Sequence, residues 1–166
     1  MRKFFAGLAS LLFAVVVPGT VGGVVPWWIS RWHFEPAFFD IRAIRLVGLY
    51  LILVGIIPLI ESIARFAWKG LGTPAPVFPT SNLVVTGFYH HVRNPMYVGM
   101  LGVILGQALL FGDLRLLGYG AAFWLGTHLF ITLYEEPTLR RRYGEEYADF
   151  CKHVPRWLPR WKPWNG

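Results

Sequence analysis

Two short runs in this chain concentrate side chains able to do chemistry. The first is Thr86-Gly87-Phe88-Tyr89-His90-His91-Val92-Arg93-Asn94-Pro95-Met96-Tyr97-Val98-Gly99. Pro95 suits the first turn of a helix, where its missing N–H is no loss. A helix starting there exposes backbone N–H groups able to receive a carboxylate. Arg93 stands beside that opening, and Gly99 permits close approach by another backbone or a ligand. The plain alternative is an ordinary helix start with interfacial aromatics.

The second run is Tyr134-Glu135-Glu136-Pro137. Adjacent carboxylates at the mouth of an apolar helix are costly unless solvated or paired with a cation. They could hold an amino group or lie beside a sulfonium, or they simply mark where the helix leaves the lipid. His128, about two turns before Glu135 within an apolar run, is a candidate catalytic residue because ionisable groups at that depth are usually functional. Its structural alternative is a neutral ring hydrogen-bonded to a neighbouring helix. Glu61 is open to the same two readings. His90 and His91 are adjacent and point different ways, and the chain shows no zinc spacing, phosphate-binding glycine loop or nucleophile elbow, so no metal site is expected.

The segments that must position these groups are strongly apolar. Of 166 residues, 55% are hydrophobic and 15% charged, against roughly 25% charged in soluble domains. The uncharged residues fall in long runs, the pattern of a bilayer protein. Four spans emerge: one within 4–29, interrupted by Pro18, Gly19, Gly22, Gly23 and Pro26 and expected to bend or end near a proline; one over 44–60 that continues past Glu61 and Arg65; one over 96–111; and one over 116–134. Phe111-Gly112-Asp113-Leu114-Arg115 is short enough to make the last two an antiparallel hairpin. Pro74, Pro76 and Pro79 make residues 70–79 an irregular loop. Leu139, Tyr143, Tyr147 and Phe150 draw an apolar stripe along a charged tail, with a break near Gly144. The fold class expected is therefore all-α: a polytopic membrane protein of about four transmembrane helices with a helical hairpin and an amphipathic C-terminal tail, forming one unit.

The net charge of +7 fits membrane topology better than nucleic acid, since the basic residues sit between and after the apolar runs. Arg2, Lys3, Arg65, Lys69, Arg93 and everything from Arg140 onward fall on one side, against Arg31, Arg42, Arg45 and Arg115 on the other. That imbalance puts both termini in the cytoplasm and both chemical clusters on that same side. The first run is too long for a signal-peptide core and lacks a clear cleavage site, so a retained helix is expected. Cys151 is the single cysteine, which excludes an intrachain disulfide. Membrane lipids are the expected surroundings, in a compact chain that suits a bacterial inner membrane.

Val92-Arg93-Asn94-Pro95-Met96-Tyr97-Val98-Gly99 resembles the Arg-His-Pro-x-Tyr-x-Gly signature of isoprenylcysteine carboxyl methyltransferases and phospholipid N-methyltransferases. Tyr134-Glu135-Glu136-Pro137-Thr138-Leu139, Arg142-Tyr143-Gly144-Glu145-Glu146-Tyr147 and Val154-Pro155-Arg156-Trp157-Leu158-Pro159 resemble later blocks of the same family. The resemblance covers roughly residues 81–159 and leaves the first two spans, within 1–70, without such a signal. It implies a membrane methyltransferase that moves a methyl group from S-adenosylmethionine to an amphiphilic or lipid-like acceptor entering sideways from the bilayer. Carried over by position, Leu83, Val84, Tyr89, Arg93, Asn94, Pro95, Met96, Tyr97 and Gly99 would line the cofactor. Glu135 would bind its polar end, with Glu136 as neighbour. His128 is the one candidate to take a proton from an acceptor that arrives protonated. Two departures stand out: Asn94 replaces the family's usual histidine, and Ile131 stands where isoprenylcysteine methyltransferases carry an arginine for the substrate carboxylate. A nicotinamide-dependent sterol-type reductase and a non-catalytic accessory protein are the competing classes.

Overall fold

The computed structural model describes residues 16–69, 83 and 85–164. The N-terminal part of the first span, the 70–79 loop and Val84 lie outside the described residues. Among those described, every regular element is helical. Helix α1 occupies residues 16–30, α2 Ala43–Lys69, α3 Pro95–Phe111 and α4 Leu114–Phe130. A π-turn, Ile131–Glu135, carries α4 without interruption into α5, Glu136–His153.

Helix α2 and the continuous α4–α5 helix each hold a segment long and apolar enough to cross a bilayer, yet only 17% of either apolar window is buried. Core helices of soluble proteins bury most of such a window. Here Leu46, Leu49, Leu53, Ile57 and Ile60 of α2 and Leu125, Leu129 and Leu133 of α4 point outward, which is the surface lipid tails cover. The chain is an all-α membrane protein. Taking α4 and its π-turn through Tyr134 as the span gives 21 residues, or about 31 Å at ~1.5 Å per residue, close to the hydrocarbon thickness.

Packing in lipid has to come from backbone proximity and not from hydrophobicity. Helices α2 and α3 run antiparallel with glycines in register, Gly48 against Gly106 and Gly55 against Gly99. A Cβ on Gly55 would lie 2.6 Å from the Gly99 carbonyl, and one on Gly106 2.6 Å from that of Gly48. Leu59, Met100, Val103 and Ile104 fill the core beside this crossing, with Met96 packed against them.

The α3–α4 hairpin forms as its sequence predicts. Gly112 closes α3 at φ +73°, and a side chain there would collide with the Pro36 carbonyl 2.3 Å away. Asp113 then caps α4 by accepting from the Arg115 N–H.

The first span departs from expectation in an instructive way. It does not end at Pro18 or Pro26; it continues to Ser30 through a π-turn over Thr20–Val24. Pro26 has no N–H for the carbonyls a turn earlier. Those of Val21 and Gly22 are taken instead by the Tyr119 hydroxyl at 3.0 Å and Gln107 Nε2 at 2.7 Å. The Trp32 indole N–H donates to the Gln107 oxygen at 3.2 Å. Neighbouring helices thus satisfy the freed carbonyls, as an apolar surrounding requires.

Candidate active site

The end of the bundle where α2 finishes, α3 starts and α4 leaves the span collects most of the polar side chains singled out above. Pro95 opens α3, buried, and Asn94 precedes it. The 3₁₀ turn Gly87–His90 sits over this opening, entered through Gly87 at φ +60°. No side chain of its own caps that turn. The cap comes from α2, where Glu61 Oε2 accepts the Phe88 N–H at 3.3 Å.

This arrangement sets Tyr89 among groups from two elements: Glu61 and Ser62 of α2, and Glu135 at the end of the α4 π-turn. Burial, then the Glu135 carboxylate, with a smaller push from Glu61, holds the Tyr89 hydroxyl well above the ordinary tyrosine range, so it stays a neutral donor. Tyr97, in the first turn of α3, lies within electrostatic reach of both Tyr89 and Glu135. Burial, reinforced by the neighbouring Glu136 carboxylate, pushes Glu135 up to about 7. Its Oε2 is buried with no hydrogen-bond partner among the described residues. A buried carboxylate oxygen close to two phenols could accept from a cationic donor such as an ammonium.

Glu136, one residue on, has the opposite character. Its Oε1 accepts from Arg93 Nη1 at 2.9 Å and Arg156 Nε at 2.7 Å, and its Oε2 accepts from Arg156 Nη2 at 2.8 Å. Burial raises its pKa, but the Arg156 hydrogen bonds and the Arg93 charge outweigh that and hold it below the usual carboxylate range.

The sequence pattern of the phospholipid methyltransferase family matches residues 43–146. The chain belongs to that family. Among curated proteins, the protein-S-isoprenylcysteine O-methyltransferase of Xenopus laevis is 39% identical over 80 residues, 46% of this chain and 27% of that protein. The matched part thus spans about a quarter of that relative's length. No solved structure matches.

The family match begins at the first residue of α2 and ends just beyond Gly144, where φ 54° and ψ −125° kink α5. It therefore contains Glu61, Tyr89, Tyr97 and Glu135, and it stops short of the tail beyond His153. That tail runs back along the 90–94 segment. Arg93 N–H donates to the Pro155 carbonyl at 2.9 Å, and the Arg160 and Trp164 N–H groups donate to His91 and His90, each at 3.0 Å. The rings of His91 and His90 return hydrogen bonds to the Arg160 and Trp164 carbonyls. Asn94 Nδ2 donates to the Arg156 carbonyl at 3.2 Å.

Several residues expected to line a ligand hold structure together. Gly99 lies at the helix crossing, where a Cβ would stand 2.5 Å from the Gly55 carbonyl. Leu83 packs with Tyr147, Phe150 and Val154, the stripe that buries α5 against the tail. Arg93 and Glu136 face each other, and Arg93 also donates to Cys151 Sγ at 2.9 Å. His128 stacks on Trp124 at 5.3 Å and accepts the Trp157 indole N–H on Nδ1 at 3.2 Å. Ser62 and Arg156 were not singled out in the sequence. Glu61 carried a signal, being the one acidic residue of α2, whereas nothing periodic marks Arg156.

Proposed function

We propose that this protein transfers a methyl group from S-adenosylmethionine to an amphiphilic acceptor drawn from the bilayer. One observation carries the reading: the buried, unpartnered Oε2 of Glu135, grouped with Tyr89 and Tyr97 where the span meets the interface. The donor set fits the amino-acid end of that cofactor. Glu135 would hold the ammonium, and the first N–H groups of α3, which lack helical partners by geometry, would meet the carboxylate. When bound, the sulfonium supplies a methyl carbon: the acceptor's lone pair forms the new bond as the carbon–sulfur pair leaves with sulfur.

The chain's own contribution is alignment and exclusion of water. Tyr89 and Tyr97 would present hydroxyls near Glu135 and wall the site, while the tail closes over the 90–94 turn. An acceptor that arrives as an ammonium or thiol must lose a proton, and His128 is the candidate to take it. To do so it has to give up the Trp157 hydrogen bond that now occupies Nδ1.

The Xenopus relative is named for an isoprenylcysteine acceptor, and the family for phospholipids. Ile131 is buried and apolar, and Arg93 and Arg156 are both engaged by Glu136. This supports a lipid amine or thiol over a carboxylate acceptor. The cytoplasmic face of the membrane is the proposed location of the site.

Calorimetric titration of S-adenosylmethionine into detergent-purified protein tests the cofactor. The expected result is saturable binding that Glu135→Ala weakens roughly 10- to 100-fold, the worth of a charge-assisted hydrogen bond. Saturable binding of NADPH in its place would move the chain to a reductase class.

A further inference from the structure

Beyond Val154 the tail carries a surface that cofactor binding does not use. Trp157 reaches α4, where its indole N–H donates to His128 and its ring tilts against Trp124 at 6.2 Å. His128 precedes Glu136 by eight residues, ~12 Å of helix at about 1.5 Å per residue. The tail therefore re-enters alongside the apolar span and does not stay in the aqueous layer. After this contact two side chains turn away from the protein: Leu158 is 80% exposed and Trp161 98%.

Two large apolar side chains without cover among the described residues, close in sequence to the Trp157 that meets α4, need a covering of their own. The local charge says which. From Lys152 to Trp164 the chain has Lys152, Arg156, Arg160 and Lys162 and no acidic residue. Arg156 is spent on Glu136, and Arg160 folds onto the His153 carbonyl at 2.7 Å. Lys152 and Lys162 remain exposed, flanking the apolar pair. Tryptophan beside lysine at the end of a span is the composition that settles at headgroup level, and cationic residues there favour anionic lipid.

We propose that residues 158–162 form a re-entrant anchor that seats Leu158 and Trp161 in the interface of an anionic bilayer, with Lys152 and Lys162 on lipid phosphates. The anchor would tie the site to the membrane surface, because the Arg160 and Trp164 N–H groups hold His91 and His90 on either side of it. The inference stands independently of methyl transfer.

Its test is fluorescence quenching of the full chain in nanodiscs whose acyl chains are brominated near the headgroup, with phosphatidylcholine alone or mixed with phosphatidylglycerol. Trp161→Phe removes a side chain that touches almost nothing, so the fold is kept, and circular dichroism melting checks this. The difference between wild type and Trp161→Phe isolates Trp161. A quenchable Trp161 component that grows with phosphatidylglycerol, and falls to its phosphatidylcholine level in Lys152→Gln/Lys162→Gln, is the expected result. Equal quenching of wild type and Trp161→Phe would overturn the anchor, leaving a soluble partner to cover the patch. A Trp161 component indifferent to phosphatidylglycerol would overturn the anionic partner.

Discussion

Arg156 grips Glu136 through two parallel hydrogen bonds, Nε to Oε1 at 2.7 Å and Nη2 to Oε2 at 2.8 Å, while Glu135 beside it keeps a buried oxygen without a partner among the described residues. Neighbouring positions on a helix point about 100° apart, so one carboxylate serves the tail and the other faces the interior. Their substitutions should separate accordingly. Glu136→Ala strands Arg93, only 12% exposed, and should cost ~3–5 kcal/mol, the usual penalty for halving a buried ion pair. Glu135→Ala should leave stability nearly unchanged. Thermal melts of both variants in one detergent check this. The Glu136 pKa is depressed, so its stabilisation is present above the unfolded-state value and is lost as pH falls through the folded one.

Glu135 should make cofactor binding depend on pH. Its pKa is pushed up to about 7, by burial first and by Glu136 second. The protonated form cannot accept from an ammonium through a full negative charge. Affinity for S-adenosylmethionine should therefore be highest above pH 7 and fall as the pH drops below it, approaching tenfold per unit at the acid limit. Titrations from pH 5.5 to 8.5 should show that slope in the wild type and a flat, weaker profile in Glu135→Gln. A wild-type profile without slope would remove Glu135 as the ammonium's partner.

Glu61 acts on the site through Tyr89. Its Oε2 accepts the Phe88 N–H at 3.3 Å and supplies the cap that the Gly87–His90 turn lacks. Glutamine keeps that acceptor and alanine does not. Cofactor affinity should hold within about threefold in Glu61→Gln and fall roughly 5- to 30-fold in Glu61→Ala, for a lost cap worth ~1–2 kcal/mol. Should the two variants lose affinity equally, the carboxylate charge and not the cap would be what the site uses.

Much of this was legible in the residues. The Phe111–Arg115 turn could only make a hairpin, the α5 stripe predicted both its packing and its Gly144 kink, and Glu135 was marked by its place at the end of an apolar run. What escaped was set by distance in sequence. Arg156 meets Glu136 across 20 residues and Arg93 meets it across 43, and no periodicity encodes either contact. His128 drew attention as a buried ionisable group, but the ring packs between indoles that sequence spacing could not bring together. Gly99 was open to close approach by another backbone or by a ligand, and it is Gly55 of the facing helix that makes the approach seen here.

The glycine register gives the sharpest test of the fold in lipid. At Gly99 a Cβ would stand 2.5 Å from the Gly55 carbonyl and 2.8 Å from Pro58 Cγ, both fixed atoms, so the helices must move apart to admit a methyl group. The same change at Gly126, where a Cβ meets nothing within 4 Å, only improves helix propensity by ~1 kcal/mol. Gly99→Ala should thus destabilise by about 1–3 kcal/mol, the cost of overpacking, while Gly126→Ala is neutral or mildly stabilising. Because α2 carries Glu61 and α3 carries Tyr97, separating them also shifts the site, and Gly99→Ala should weaken cofactor binding even where the protein remains folded. Melting temperature and cofactor affinity measured on the pair distinguish a helix-packing role from a ligand-lining one: a Gly99→Ala protein of normal stability with poor binding would return Gly99 to the ligand.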